Sequence, residues 1–118
     1  MVKSYKDLLV YQRAYEQSLL IHKLSLDFPK NGQYGGIADQ LRRASKSIAL
    51  NIAEGYGRNY VTEFKRFLKI SLGSNNEVLV LLDYCKDLGY LIPSDHANFA
   101  DQYVQVGKML HKLIQVWK

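Results

Sequence analysis

The chain has one cysteine, two prolines and one tryptophan in 118 residues. A single thiol, Cys85, excludes an internal disulfide and any thiolate cluster for zinc or iron–sulfur. It falls inside a helical pattern, where a buried, inert thiol is expected. Long apolar runs are absent: the longest, Val78 to Leu82, is far short of the ~18 residues a membrane span requires. The opening residues Met1 to Asp7 hold no apolar signal core and no small-residue cleavage site, so a cytoplasmic location without a membrane partner is expected.

Catalytic signatures are missing as well. There is no Gly-x-Ser-x-Gly elbow and no Walker loop, and Gly55-Tyr56-Gly57 ends a helix instead of following a strand, which marks it as a C-cap. His22, His96 and His111 fall on different helices without metal-ligand spacing. Glu54 is the one candidate core carboxylate, and one carboxylate cannot hold the two metals of a di-iron bundle. The expectation is a protein without metal, cofactor or catalytic residue, hence not an enzyme.

What is present is helical periodicity. Pro29, Pro93 and the glycines at 32/35/36, 55/57 and 89 divide the chain into four periodic segments, at about 5–28, 36–57, 61–88 and 94–117. The first carries Val10, Ala14, Ile21, Leu24 and Phe28 on one stripe, with Leu8, Tyr11 and Leu20 near it, and stops at Pro29 and Asn31-Gly32. The second places Ile37, Leu41, Ala44, Ile48 and Ile52 on one face. The third turns Phe64, Leu68, Leu72, Leu79 and Leu82 inward. The fourth, with Ser94 as its expected N-cap, repeats Phe99, Tyr103, Val106, Leu110, Leu113 and Trp117 as a heptad seam. Short connections make neighbours antiparallel, so residues 1–118 are expected to form a single all-α domain, an antiparallel up-down-up-down four-helix bundle.

Charge is unevenly spread. Between Gln40 and Ile70 lie Arg42, Arg43, Lys46, Arg58, Lys65, Arg66 and Lys69 against only Glu54 and Glu63, which accounts for the whole formal net charge of +5. Arg42 and Lys46 share the outer face of the second helix, Lys65 and Lys69 that of the third. With the turn near Arg58 and Asn59 the two pairs reach similar height and predict a contiguous basic patch. Such a patch is either a solvated face or a surface for phosphate backbone, with Tyr56 and Tyr60 placed to stack on bases.

Two further groups stand out. Ile70, Gly73, Val80 and Tyr84 lie opposite the third helix's apolar stripe, and Leu50 faces away from the core on the second. A row of this kind beside a glycine suits a homo-oligomer interface. Ser47, Asn51, Glu54 and Arg58 form a strip bordering the Ile48/Ile52 face. It reads either as a polar network, with Glu54 paired to Arg58 and Asn51 bonded to Asn75 across the bundle, or as a small polar site.

Nearly the whole chain resembles a bacterial four-helix-bundle family first noticed as reading frames inside intervening sequences of 23S ribosomal RNA genes. The resemblance rests on Tyr5-Lys6-Asp7-Leu8, Val10-Tyr11-Gln12, Ala14, Phe28-Pro29 and Gln40-Leu41-Arg42-Arg43-Ala44. It continues through Ser47-Ile48, the specific run Asn51-Ile52-Ala53-Glu54-Gly55-Tyr56-Gly57-Arg58, Glu63-Phe64, Arg66-Phe67-Leu68, Gly73-Ser74, Glu77 and Leu88-Gly89-Tyr90. Ala49 stands where the family pattern has proline, which implies a less kinked second helix, and Tyr11 where it has tryptophan. The resemblance implies a cytosolic ring, often a pentamer, with no established enzymatic activity. The chain also looks like the accessory proteins of diversity-generating retroelements, basic bundles that bind nucleic acid and a reverse transcriptase.

The function expected is therefore a non-catalytic homo-oligomer binding RNA or DNA through the seven cations. The alternatives are a protein-interaction scaffold without nucleic-acid binding, an accessory subunit of a nucleic-acid-processing protein, and, more distantly, an enzyme acting near Asn51 and Glu54.

Overall fold

Four α-helices form where the periodic segments predict them: α1 (Leu9–Ser25), α2 (Ile37–Gly57), α3 (Val61–Asp87) and α4 (Pro93–Val116). The computed structural model describes residues 1–30, 33 and 35–118, so Asn31 and Gly32, expected to stop α1, lie outside the described residues. No strand occurs among the described residues. The 27-residue α3 should span about 40 Å at 1.5 Å per residue, and it sets the long axis of a bundle measuring 44 × 25 × 20 Å.

Cross-helix contacts set the topology. Ser47 meets Ser74 and the Ile48 carbonyl meets Ser71, while Asn75 meets Tyr103 and Asp83 meets His96. Residue numbers rise on one helix as they fall on its partner, so α2 runs antiparallel to α3 and α3 to α4. The core holds Ile21, Leu41, Ile48, Ile52, Leu68, Val78, Leu82, Tyr103, Val106 and Leu110, all fully buried. Each Leu or Ile so placed contributes about 1.5–3 kcal/mol.

Three boundaries differ from expectation. The first segment is split: Tyr5–Asp7 form a 3-10 turn closed by a Ser4/Asp7 capping box, Leu8 is extended, and α1 ends at Ser25. Leu8 and Phe28 are buried from outside the helix, whereas Leu20 is exposed. α4 begins a residue early, with Ile92 in the N-cap position and Pro93, whose fixed φ suits the first helical turn, replacing the expected Ser94 cap. Gly55-Tyr56-Gly57 does not cap α2. The helix continues to Gly57, and Asn59, with φ of 63°, turns the chain.

Gly55 has a different task. A Cβ there would meet the Cβ of Phe67 at 2.5 Å, so the missing side chain lets α3 approach α2 beside the turn. Gly89, with φ of 81°, does end α3, and the N–H groups of Tyr90 and Leu91 donate to the Cys85 carbonyl at 2.8 and 3.1 Å. Cys85 is fully buried, and burial pushes its thiol up to about 11, which keeps it protonated and unreactive near neutral pH.

Candidate nucleic-acid interface on the central hairpin

The seven cations of the α2–α3 hairpin have unequal fates. Arg42 is half-buried: Nη1 donates to Ser25 Oγ at 2.7 Å, and Nη2 to the Gln33 carbonyl and Oε1 at 3.2 and 3.0 Å. Gln33 in turn donates to the carbonyls of Ser25 and Phe28, both at 2.9 Å. Arg42 therefore organises the end of α1 and does not stand on the outer face. The signal for this was weak, because an arginine on the flank of a helical wheel looks the same whether it reaches solvent or a neighbouring loop.

The other arginines are matched to carboxylates. Arg43 is 3.4 Å from Asp39, and Arg58 Nε donates to Glu54 at 2.9 Å and lies 3.9 Å from Glu63. Arg66 donates twice to Glu63, at 2.8 and 3.3 Å. The Arg66 hydrogen bond, then the charges of Arg66 and Arg58, hold the Glu63 carboxyl below its usual range. Both guanidinium groups also lie over the Phe67 ring, at 5.1 and 4.6 Å. Among the described residues, Lys46, Lys65 and Lys69 have no such carboxylate partner.

These lysines do not form one contiguous patch. The pairing of Ser47 with Ser74 and of Gly55 with Phe67 sets a register in which Lys69 is level with about residue 52. That displaces it by about six residues, or ~9 Å, from Lys46. Azimuth separates them further. Lys46 borders a groove with Tyr15 and Leu19 of α1. Lys65 lies about five helical turns from Asp83, hence on the same line of α3 as a residue that bonds His96 of α4. The free cations thus flank the hairpin on two sides, with the paired arginines near its turn.

The polar strip is rearranged. Glu54 and Arg58 pair as expected, but Asn51 Nδ2 donates to its own helix, at the Ser47 carbonyl and Oγ, 2.8 and 3.0 Å away. Asn75 does not meet Asn51. It is buried on the α4 side, its Nδ2 donating to the Tyr103 carbonyl at 2.8 Å. The links between α2 and α3 are hydroxyls: Ser47 and Ser74 share a hydrogen bond of 2.9 Å, and Ser71 Oγ donates to the Ile48 carbonyl at 2.9 Å. Serine on a buried face was readable only as small, so its bonds across the hairpin went unseen.

The outward apolar residues do face outward. Leu50 is 67% exposed, Ile70 41%, Val80 54% and Tyr84 56%, and the Cβ position of Gly73 meets nothing within 4 Å. The same register brings Leu50 to about the height of Ser71 on α3. On its other side Leu50 borders the α1–α2 groove of about 310 Å³ with Tyr11, Tyr15, Leu19, Ala49 and Ala53. Tyr11 stacks on Tyr15 at 5.9 Å and meets Tyr5 edge-on at 4.9 Å. Burial, then the neighbouring Tyr5 and Tyr15, raises the Tyr11 hydroxyl. The small pair Ala49 and Ala53 opposite Tyr15 and Leu19, each at a four-residue spacing, was the sequence signal for this groove.

No group of three or more His, Cys, Asp or Glu residues able to hold a metal occurs among the described residues. No described helix is long and apolar enough to cross a membrane. The molecule is thus a small all-helical bundle with a cationic central hairpin and an exposed apolar row. The chain belongs to the 23S rRNA-intervening sequence protein family, whose model matches residues 6–112. Its fold is similar to that of a crystallised protein of unknown function from the S23 ribosomal protein family of Bacteroides thetaiotaomicron VPI-5482. The two are 22% identical, with a TM-score of 0.85 over 94% of this chain and 99% of the other. No curated protein matches the sequence.

Proposed function

We propose that the chain is a non-catalytic, homo-oligomeric bundle that binds RNA or another nucleic acid through its central hairpin. The observation that carries this reading is the segregation of charge: residues 40–70 hold the entire net +5, and among the described residues Lys46, Lys65 and Lys69 are unmatched by carboxylates. Three free lysines per copy neutralise few phosphates, so useful affinity depends on several copies acting together. The row of Leu50, Ile70, Val80 and Tyr84, open beside Gly73, is the surface proposed for that assembly, and the family resemblance favours a pentameric ring. A cytoplasmic setting fits an RNA ligand.

The test is purification at low salt with mass measured by light scattering and nucleic acid followed by absorbance. The expected result is an oligomer that carries RNA and releases it as salt rises. A monomer free of nucleic acid would sink both parts of the reading. A second reading, a protein-interaction scaffold or an accessory subunit of a nucleic-acid-processing enzyme, is favoured by the 67% exposure of Leu50 next to the α1–α2 groove. The scaffold predicts assembly without nucleic-acid binding even at low salt.

A further inference from the structure

A second cleft has none of the central hairpin's lysines in its lining. It has a volume of about 530 Å³ and lies between the entry to α1 and the C-terminal half of α4. That size falls within the range of small-molecule sites, roughly 300–1,000 Å³. Its floor is apolar, because Leu8 and Val10 are buried there against Met109 and Leu113. Its walls are apolar too: Leu9 is 70% exposed and Val116 half-exposed, and both face the same space.

Trp117 closes one end. Its ring meets Phe64 edge-on at 4.9 Å and Tyr56 at 6.3 Å, which holds the indole in place. Polar side chains are confined to Asp7, Lys108 and Lys112. Asp7 is turned back into its capping box, where Oδ2 accepts from the N–H groups of Lys3 and Ser4 at 2.8 and 3.0 Å. Lys108 and Lys112 are exposed one turn apart on α4, and among the described residues neither has a carboxylate partner.

We infer that this cleft binds a single-chain amphiphile with a carboxylate head, its alkyl tail lying along Leu9, Val116 and Trp117 and its head at Lys108 and Lys112. The chemistry of the lining selects this class. A sugar or nucleotide would bring many polar groups onto a floor that offers them no hydrogen-bond partners. A neutral hydrocarbon would leave the paired ammonium groups unused. An alkyl chain ending in one anion satisfies both, the head remaining at the wet rim while the tail is desolvated.

Trp117 is the sole tryptophan, so its fluorescence reports on the cleft directly. Decanoate, added below its micelle concentration at low salt, should change that fluorescence saturably with one site per chain. Decanol should bind roughly three- to tenfold more weakly, the factor two exposed ion pairs supply. The K108Q/K112Q variant should bind decanoate as weakly as wild type binds decanol. Leu9→Glu, at an exposed position that should leave the fold intact, should weaken decanoate further by placing a charge in the path of the alkyl tail.

Four results would overturn the inference: no saturable change, equal affinity for decanol and decanoate, a double-lysine variant that binds decanoate unchanged, or a Trp117 signal that depends on protein concentration without ligand. The last would mean that a second copy fills the cleft. Binding to phosphatidylglycerol vesicles without binding of free decanoate would also overturn it, in favour of a membrane surface.

Discussion

Arg42 Nη1 donates to the hydroxyl of Ser25 at 2.7 Å, joining α2 to the last residue of α1. With its two bonds to Gln33, this makes Arg42 a fixed part of the α1–α2 connection. Truncating it leaves those acceptors without their charged donor. Arg42→Ala is expected to destabilise the fold by about 2–4 kcal/mol. Thermal unfolding checks this, and the variant's nucleic-acid binding at a temperature where it remains folded should match wild type. Loss of binding at unchanged stability would return Arg42 to the surface.

Gly55 predicts a packing defect. The space its absent side chain would need is held by the Phe67 Cβ, which belongs to the facing helix and cannot swing away. Gly55→Ala should cost about 1–3 kcal/mol, although alanine is the better helix former by about 1 kcal/mol. A denaturant midpoint at or above wild type would contradict this approach of α2 and α3.

Asn75 separates two kinds of loss. Its Nδ2 bonds the Tyr103 carbonyl, while its Oδ1 is buried without a protein partner among the described residues. Asn75→Ala removes one good bond and one unmatched acceptor, an expected cost of about 1–3 kcal/mol. Asn75→Asp, nearly the same shape, directs a carboxylate at a carbonyl in the core. It should cost more than Asn75→Ala near neutral pH, with part of the difference recovered in acid as the carboxyl protonates. Equal melting temperatures for the two variants would contradict the assigned bond.

His22 predicts a pH effect. Burial, then the positive charges of Lys46 and Arg42, lowers its pKa below 6.5, and Nδ1 is buried without a partner among the described residues. The unfolded chain therefore binds more protons than the folded one below about pH 6.5. Its contribution to stability is fully present above that value and is lost as pH falls toward the lowered folded pKa. His22→Gln should flatten that part of the stability curve, which urea titrations between pH 5 and 7.5 would detect.

The helices were legible because helical periodicity and glycine or proline breaks pointed the same way. Phe64, Leu68 and Leu82, inward by periodicity, are buried, as are Tyr103, Val106 and Leu110. Leu72 and Leu79, on the margin of the α3 stripe, are only partly buried, whereas Phe67 and Val78, outside the expected stripe, are buried. A fixed 100° step leaves such flank positions ambiguous until the neighbouring helix is known. The candidate surface was harder to read. Residue type gives charge, but not whether Arg42 turns inward, whether Arg66 is spent on Glu63, or how far α2 is offset from α3. Those depend on loop path and register, which here follow from Gly55 and the Ser47–Ser74 pair.

The most direct test of the account is the salt dependence of binding to a single-stranded RNA, compared between wild type and K46Q/K65Q/K69Q at equal oligomer mass. Counterion release makes log K fall with log salt by about 0.7 per phosphate neutralised. The account predicts a steep slope for wild type, shallower in the triple variant by roughly 0.7 for each lysine–phosphate contact removed. An identical slope in both proteins, or no binding by wild type even at low salt, would contradict it.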